Sequence, residues 1–453
     1  MNDLDTLALA SGADIARAFA RGDASPVELT EFLLDRIAAQ TSPVFLQITR
    51  ERACREAEAA EKRIRAGHTL SPLDGVPVAW KDLIDMAGEV TTAASDVYRT
   101  AEPAVSDAPI VANATAAGMV SLGKLNLTEF AYSGLGLNPH FGTPCNPHSD
   151  IPRSPGGSSS GSGVSVAAGM APIAIGTDTG GSVRIPAAFN GIVGYKSSEN
   201  RIGKTGVFPL SSTLDTVGPL ARSVEDCVLS DAVLRGAVTS DVRRAPVQNL
   251  KILVPRSIVF DEIEDEVAAN FEYSLERLAM TGATIRHADC PAFQRAYELA
   301  AEIGTITAAE AYATHRALVD GSDVGRIDAR VLARIDLGKK MIAGDYIRLF
   351  EERRALQAML SEQLDGWFMA MPTAPHVAPE IAPLEADEDL FHRINLKTLR
   401  NTAIGNFLNL PGVAIPSGVD SAGMPTSFLL SGEAGDDDRL LGYALTAEPV
   451  IRG

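Results

Sequence analysis

Cysteine is scarce in this chain, and its four copies show none of the spacings that bind metals or form redox pairs. Cys54, Cys145, Cys227 and Cys290 are scattered over 453 residues without a C-x-x-C pair. The seven histidines show no H-x-x-H or H-E-x-x-H grouping either. We therefore expect reduced cysteines in a cytoplasmic protein, and neither a metal nor a cofactor.

Basic residues are also fewer than acidic residues in this chain. Forty Lys plus Arg face 58 Asp plus Glu, which gives a net charge of −18 at pH 7. Proteins that bind nucleic acid or anionic membranes usually carry a basic excess, so neither partner is expected. Apolar stretches such as 164–175 are shorter than the roughly 20 residues needed to cross a bilayer. Residues 1–20 lack the basic start of a secretory signal.

Short apolar runs alternate with amphipathic patterns along most of the chain. Residues 25–28, Ser-Pro-Val-Glu, form a capping box with proline at the first helical position, which predicts a helix start. Further helices are predicted at residues 51–65, 107–117, 262–280, 293–318 and 345–364. Strands are predicted at residues 75–81, 119–122, 250–254, 368–371 and 413–416. This alternation indicates an α/β protein with a central sheet.

Two segments depart from that alternation. Residues 142–220 are dense in Gly, Ser, Thr and Pro with only brief apolar runs, which is typical of functional loops on a rigid scaffold. A polar stretch at 237–247 is a candidate connection between two lobes. Length alone would suggest about three domains.

The most unusual segment is GGSSSGSG at residues 156–163. A flexible linker is the simplest interpretation, but the segment runs directly into apolar residues 164–168, which predict the start of a buried helix. A Walker-type phosphate loop is disfavoured because it ends in Gly-Lys-Ser/Thr, and no lysine lies between Arg153 and Arg184.

A second glycine-rich segment places Ser182 directly after two glycines. Glycines allow backbone N–H groups to converge, and such a nest can hold an oxyanion beside a serine hydroxyl. A serine nucleophile needs a base, and no histidine stands in a marked context. Lys81 follows the apolar run 76–80 and is a candidate base if burial keeps it neutral. The alternative is an ion pair between Lys81 and Asp82, Asp85 or another carboxylate.

Taken together, these segments resemble the signature of the amidase signature family. The central match covers residues 156–162 and 176–196, and GVPVAWKD at 75–82 is similar to the family's lysine motif. Further similar stretches lie at residues 123–131, 214–223, 371–373 and 409–416. The resemblance implies a single α/β domain over residues 1–453, with a central mixed β-sheet covered by helices on both faces. Within it we expect an N-terminal helical region (1–70), a signature core (71–230) and a remainder that completes the sheet and shapes the pocket (231–453).

The resemblance also implies residue roles. Ser182 matches the nucleophile, Ser158 the bridging serine that the family holds with a cis peptide bond, and Lys81 the base. The implied reaction is hydrolysis of a carboxamide C–N bond through a Ser182 acyl-enzyme. Further expected roles are the oxyanion hole (Thr179, Gly180, Gly181), the hydroxyl network (Ser159, Ser160), the acyl pocket (Tyr132) and the support of the loop (Asp178, Arg184).

Two alternatives stay open. The same core would serve as the glutamine-hydrolysing A subunit of a tRNA-dependent amidotransferase, which passes ammonia to a partner subunit. The chain could also be a non-enzymatic binding module on a degenerate amidase fold, although all three triad positions are present. The expected partner is a small amide, with a homodimer as an open possibility. The sequence does not name the amide, and residues 293–364 are expected to shape the pocket mouth.

Overall fold

The computed structural model describes residues 4–453, and its centre is one eleven-stranded mixed sheet. In the sheet the strands lie in the order β1-β3-β2-β4-β6-β5-β10-β11-β9-β7-β8. Their bounds are β1 Phe45–Ile48, β2 Pro77–Lys81, β3 Val120–Leu125, β4 Ile173–Asp178, β5 Val193–Lys196, β6 Thr216–Ala221, β7 Lys251–Pro255, β8 Thr284–Ala288, β9 Phe368–Pro372, β10 Gly412–Val419 and β11 Pro425–Ser431.

Sixteen α-helices flank this sheet within the described residues. Their bounds are α1 Leu4–Ala8, α2 Gly12–Arg21, α3 Pro26–Ala38, α4 Arg50–Arg65, α5 Pro109–Ala116, α6 Ser160–Ala167, α7 Arg184–Phe189, α8 Val224–Leu234, α9 Asp265–Met280, α10 Pro291–Ile303, α11 Ile306–Val319, α12 Ala329–Lys339, α13 Ala343–Leu364, α14 Ile381–Ala386, α15 Glu388–Phe407 and α16 Asp437–Arg452. Among residues 4–453, every helix is too short or too polar to cross a bilayer.

Both faces of the sheet are covered. Successive strand residues point to opposite faces, and every residue of β2, β3, β4, β5, β6, β9 and β11 is buried. The sheet is mixed, since β2 pairs in parallel with β3 and β4, whereas β6 and β10 pair antiparallel with their neighbours. The predicted α/β class with a central mixed sheet is confirmed.

The predicted helix start at residue 25 is confirmed in atomic detail. The Ser25 hydroxyl oxygen accepts a hydrogen bond from the Glu28 N–H at 3.2 Å, and Pro26 occupies the first turn of α3. The other predicted helices and strands are present with ends shifted by a few residues, apart from the region 293–318. That region forms two helices, α10 and α11, which separate at Gly304, where φ is +92°.

The prediction of loops over residues 142–220 was wrong for about half of the stretch from residue 160 onward. This segment contains α6, α7, β4, β5 and β6, because its many small residues pack into a buried region and need no long apolar runs. The polar stretch at 237–247 does not separate two lobes, since strands from before and after it share the same sheet. The division at residues 70 and 230 stays a prediction.

Candidate active site

Two neighbouring parallel strands bring the first site residues together. Strands β2 and β4 pair with Trp80 opposite Ile175, so their carboxyl ends lie side by side. Lys81 is the last residue of β2, and Thr177 is the last but one of β4. Their side chains meet, with Lys81 Nζ 2.8 Å from Thr177 Oγ1.

Lys81 is fully buried and also contacts the glycine-serine segment. Its Nζ lies 2.7 Å from the Ser158 Oγ, and both side chains are shielded from solvent. Burial lowers the pKa of Lys81 to about 7, although the negative charges of Asp215 and Asp178 oppose this shift. A large fraction of Lys81 is therefore neutral near pH 7, which is the state that accepts a proton.

The alternative ion pair of Lys81 with a neighbouring carboxylate is not formed. Asp82 pairs instead with the buried Lys124, whose Nζ lies 2.6 Å from the Asp82 Oδ1. Asp85 accepts a hydrogen bond from the Thr91 hydroxyl at 2.7 Å. Because both carboxylates have other partners, the Lys81 Nζ contacts the hydroxyl groups of Ser158 and Thr177 instead.

Ser158 follows a cis peptide bond between Gly157 and Ser158. The neighbouring segment after β3 holds this turn on both sides. The Thr128 N–H donates to the Ser158 carbonyl oxygen at 3.0 Å, and the Gly157 N–H donates to the Gly134 carbonyl oxygen at 2.7 Å. The Ser159 N–H donates to the Ser182 carbonyl oxygen at 3.3 Å, which places the Ser158 and Ser182 segments side by side.

Ser182 lies in the loop between β4 and α7, and its hydroxyl makes no hydrogen bond within residues 4–453. The same holds for the backbone N–H groups of Thr179, Gly180 and Ser182 in the described chain. The loop therefore carries three unused N–H donors, one of them on Ser182, which retains 4% exposure. Gly181 differs, since its N–H donates to the Asp178 Oδ1 at 2.9 Å. Its expected oxyanion role stays a prediction.

Asp178 and Arg184 form a buried ion pair beneath this loop. The Arg184 Nε lies 3.0 Å from one carboxylate oxygen and the Nη2 3.0 Å from the other, and neither side chain is exposed. The carboxylate also accepts hydrogen bonds from the N–H groups of Gly181 and Val183. Burial alone would raise the pKa of Asp178, but the charge and hydrogen bonds of Arg184 outweigh it and hold that pKa well below its usual range. The ion pair and these hydrogen bonds connect the loop to Arg184, and the role of the pair in supporting the site stays a prediction.

Helix α15 supports the same loop, which the sequence analysis did not predict. The Thr402 hydroxyl donates to the Gly180 carbonyl oxygen at 2.7 Å, and the Asn406 Nδ2 donates to the Asp178 Oδ1 at 2.8 Å. These residues lie one helical turn apart on one face of α15. Gly181 leaves room for this contact, since a Cβ there would lie 2.3 Å from the Thr402 Oγ1. No local motif marks these residues, although Asn406 lies three positions before the matched stretch 409–416.

The remaining expected residues occupy different positions. The Ser159 hydroxyl donates to the Thr177 carbonyl oxygen at 3.3 Å, so it joins the network around Lys81. The Ser160 hydroxyl is buried without a partner in the described chain. Tyr132 is buried in the segment that holds the Ser158 turn, and its ring lies 4.5 Å from the Arg334 guanidinium carbon. Residues 4–453 contain no group of three or more His, Cys, Asp or Glu that could hold a metal ion.

Comparisons with known proteins find relatives over most of the chain. A model of the Amidase family matches residues 28–441. The 2-amino-5-chloromuconic acid deaminase of Comamonas testosteroni is 36% identical over 88% of this chain and 87% of its own. The A subunit of the glutamyl-tRNA(Gln) amidotransferase of Roseiflexus sp. (strain RS-1) is 35% identical over 94% of this chain and 93% of its own.

Similarity in three dimensions extends over the same length. A crystal structure of an amidase superposes with a TM-score of 0.85 at 30% identity, covering 97% of this chain and 99% of the other. The family model, the relatives and the fold all span nearly the whole chain. The chain therefore belongs to the Amidase family.

Proposed function

We propose that this protein is an amidase that hydrolyses a small carboxamide through a Ser182 acyl-enzyme. The observation that carries the proposal is the 2.7 Å contact between the Lys81 Nζ and the Ser158 Oγ, two side chains without solvent exposure. A buried lysine with a pKa of about 7 is a base at neutral pH. The Ser159 N–H, next to Ser158, donates to the Ser182 carbonyl oxygen and so holds the two serine segments together.

The proposed reaction begins with a proton relay. Neutral Lys81 accepts the Ser158 hydroxyl proton while Ser158 accepts that of Ser182, whose oxygen forms a bond to the amide carbon. The free N–H groups of Thr179, Gly180 and Ser182 stabilise the oxyanion, and one such donor is worth about 10²–10³ in kcat.

The same relay then runs in reverse. The proton returns from Lys81 through Ser158 to the amide nitrogen, the C–N bond breaks, and ammonia or an amine leaves. Water loses a proton to the relay and attacks the acyl-enzyme ester. The C–O bond to Ser182 breaks, Ser182 regains its proton, and the carboxylic acid is released.

The test uses two serine variants of the same region. Ser182→Ala should lower kcat/KM for simple amides by about 10⁴-fold or more with an unchanged circular dichroism spectrum. Ser162→Ala is the matched control, since the Ser162 hydroxyl is buried without a partner in the described chain, and it should retain activity. A Ser182→Ala enzyme within tenfold of wild type would refute the proposal, and so would failure of wild-type Ser182 to react with a fluorophosphonate.

The A subunit of an amidotransferase is the second candidate. The Roseiflexus relative, which covers 94% of this chain, supports it. The free-standing amidase is supported by the deaminase relative, whose name gives a small acid as substrate. Hydrolysis of simple amides by the purified chain without ATP or a partner supports the amidase. Glutamine hydrolysis that requires added partner subunits supports the alternative.

We also propose that the protein works in a reducing compartment. The four cysteines are unpaired, and Cys227 and Cys290 are buried. We place the protein in the cytoplasm, and fractionation of the source cells with activity measured in each fraction tests this.

A further inference from the structure

An arginine on α12 has no acceptor for its charge. Arg334 is half-buried, and its Nε is shielded from solvent without a hydrogen bond in the described chain. Every other arginine of residues 4–453 that is at least partly buried donates a hydrogen bond to a carboxylate or another oxygen. A shielded Nε–H without an acceptor is costly, so an anion is the expected occupant of the space beside this guanidinium.

The position of Arg334 links it to the site. Its guanidinium carbon lies 4.5 Å from the centre of the Tyr132 ring. Tyr132 lies between Thr128 and Gly134, which hydrogen-bond to the Ser158 and Gly157 backbone, respectively. Only one side chain therefore separates the guanidinium from the segment that holds Ser158. The Tyr132 hydroxyl makes no hydrogen bond within the described residues, so it is a second unused polar group there.

Arg330, one turn earlier on α12, has the carboxylate partner that Arg334 lacks. Its guanidinium also stacks on an aromatic ring, that of Phe391 at 5.0 Å. Unlike Arg334, it forms an ion pair with Asp328, with 2.8 Å between the Nη2 and the Oδ2. The helix thus carries two stacked arginines, one with a carboxylate of the protein and one without.

The surroundings offer no matching anion for a cationic substrate group. Burial lowers the pKa of Arg334 and only Tyr132 opposes this shift, which indicates that no carboxylate lies nearby. Near the Ser182 loop, a side chain at Gly180 would first meet Leu399 and Ala403, both apolar, at 3.7 Å and 3.9 Å. Around Arg334 and Gly180 the site therefore presents a cation and an apolar wall to its ligand, whereas the Asp178 and Asp215 carboxylates already accept hydrogen bonds from Arg184 and Thr179.

We propose that Arg334 binds a carboxylate of the substrate, so that the substrate class is a small amide with a free carboxylate and no ammonium group. The inference rests on the proposed amidase function. A guanidinium suits this task because its planar fork pairs with both oxygens of a carboxylate. Stacking on Tyr132 holds that fork in one orientation.

The experiment compares charged and neutral amides of matched length. The monoamides of malonic, succinic, glutaric and adipic acid carry the carboxylate at increasing distance, and propionamide to hexanamide are the neutral partners. Wild type should prefer one acid amide over its neutral partner. In Arg334→Gln that preference, the ratio of the two kcat/KM values, should fall about 10- to 100-fold. Arg334→Lys should restore part of it, and the control Arg330→Gln should leave the ratio unchanged.

Two results would overturn the inference. One is an equal ratio in wild type and Arg334→Gln, and the other is hydrolysis of glutamine as fast as that of the glutaric acid monoamide, because glutamine adds only the ammonium group.

The proposed function fails separately, if wild type hydrolyses no amide at all. Binding of glutarate to Ser182→Ala, measured by calorimetry, still decides the role of Arg334 in that case. Binding that Arg334→Gln weakens at least tenfold supports the role, whereas equal binding or none removes it.

Discussion

The protonation of Lys81 gives the sharpest prediction. Its pKa falls from 10.5 to about 7 on burial. This shift corresponds to roughly 5 kcal/mol of free energy that disfavours the charged form in the folded protein. About a tenth of Lys81 is then neutral at pH 6, about half at pH 7 and about nine tenths at pH 8. If neutral Lys81 is the base, kcat/KM rises about tenfold per pH unit below pH 7 and levels off above it.

The assay follows kcat/KM for a neutral amide from pH 5.5 to 9, so that the substrate itself does not titrate. Asp215→Asn supplies the internal test. The Asp215 charge raises the pKa of Lys81 against the effect of burial, so its removal should move the midpoint to lower pH. A profile that stays flat from pH 6 to 9 would refute the reasoning, as would a midpoint that rises in Asp215→Asn.

The same shift predicts that stability, like activity, rises with pH, but over the higher range from about pH 7 to 10.5. Below about pH 7 Lys81 is charged in the folded protein, and burial of that charge costs stability in full. Between pH 7 and 10.5 the folded protein loses the proton first, so the cost declines as pH rises. Replacement of Lys81 by Met removes it, and the gain over wild type should be roughly 2–3 kcal/mol larger at pH 6 than at pH 9. Urea unfolding at both pH values measures this difference, and an equal effect at both contradicts it.

Two further predictions concern the supports of the Ser182 loop. Thr402→Val removes the hydroxyl that holds the loop's carbonyl oxygen and should lower kcat roughly 3- to 10-fold with little change in KM. Thr402→Ser should restore the rate, and Thr398→Val on the same helix should leave it unchanged; equal losses in both valine variants would argue against a positioning role. Asp178→Asn leaves the fully buried Arg184 without its counter-charge and should destabilise the protein by about 3–5 kcal/mol, measured by urea unfolding. A loss below about 1 kcal/mol would show that the loop does not depend on this pair.

The sequence predicted those parts of the fold and site that depend on residues close together in the chain. The capping box at Ser25, the periodic helices and the short apolar strands each depend on neighbouring residues, and the structure contains them. The positions of Lys81, Ser158 and Ser182 were recognisable because each lies in a dense motif. The structure adds that Lys81 and Ser158, 77 residues apart, are in contact.

Contacts between distant segments could not be predicted in this way. Thr402 supports Gly180 across 222 residues of chain, and both are small polar or glycine residues without a distinctive neighbourhood. Arg334 belongs to an ordinary amphipathic helix, and only the structure shows that it lacks an acceptor. Of the helices and strands within 160–221 only the helix at 164–168 was predicted, because small buried residues mimic a loop composition.

The order of strands in the sheet also affects how the protein is made. Strand β5 pairs on one edge with β6, which follows at once, but its other edge pairs with β10, about 200 residues later in the chain. At about 5–20 residues per second, a ribosome takes roughly 10 to 40 seconds to supply that partner. During this time the first six strands present an open apolar edge that another chain can pair with. Yield in the cell should therefore depend on chaperones that shield this edge until β10 arrives.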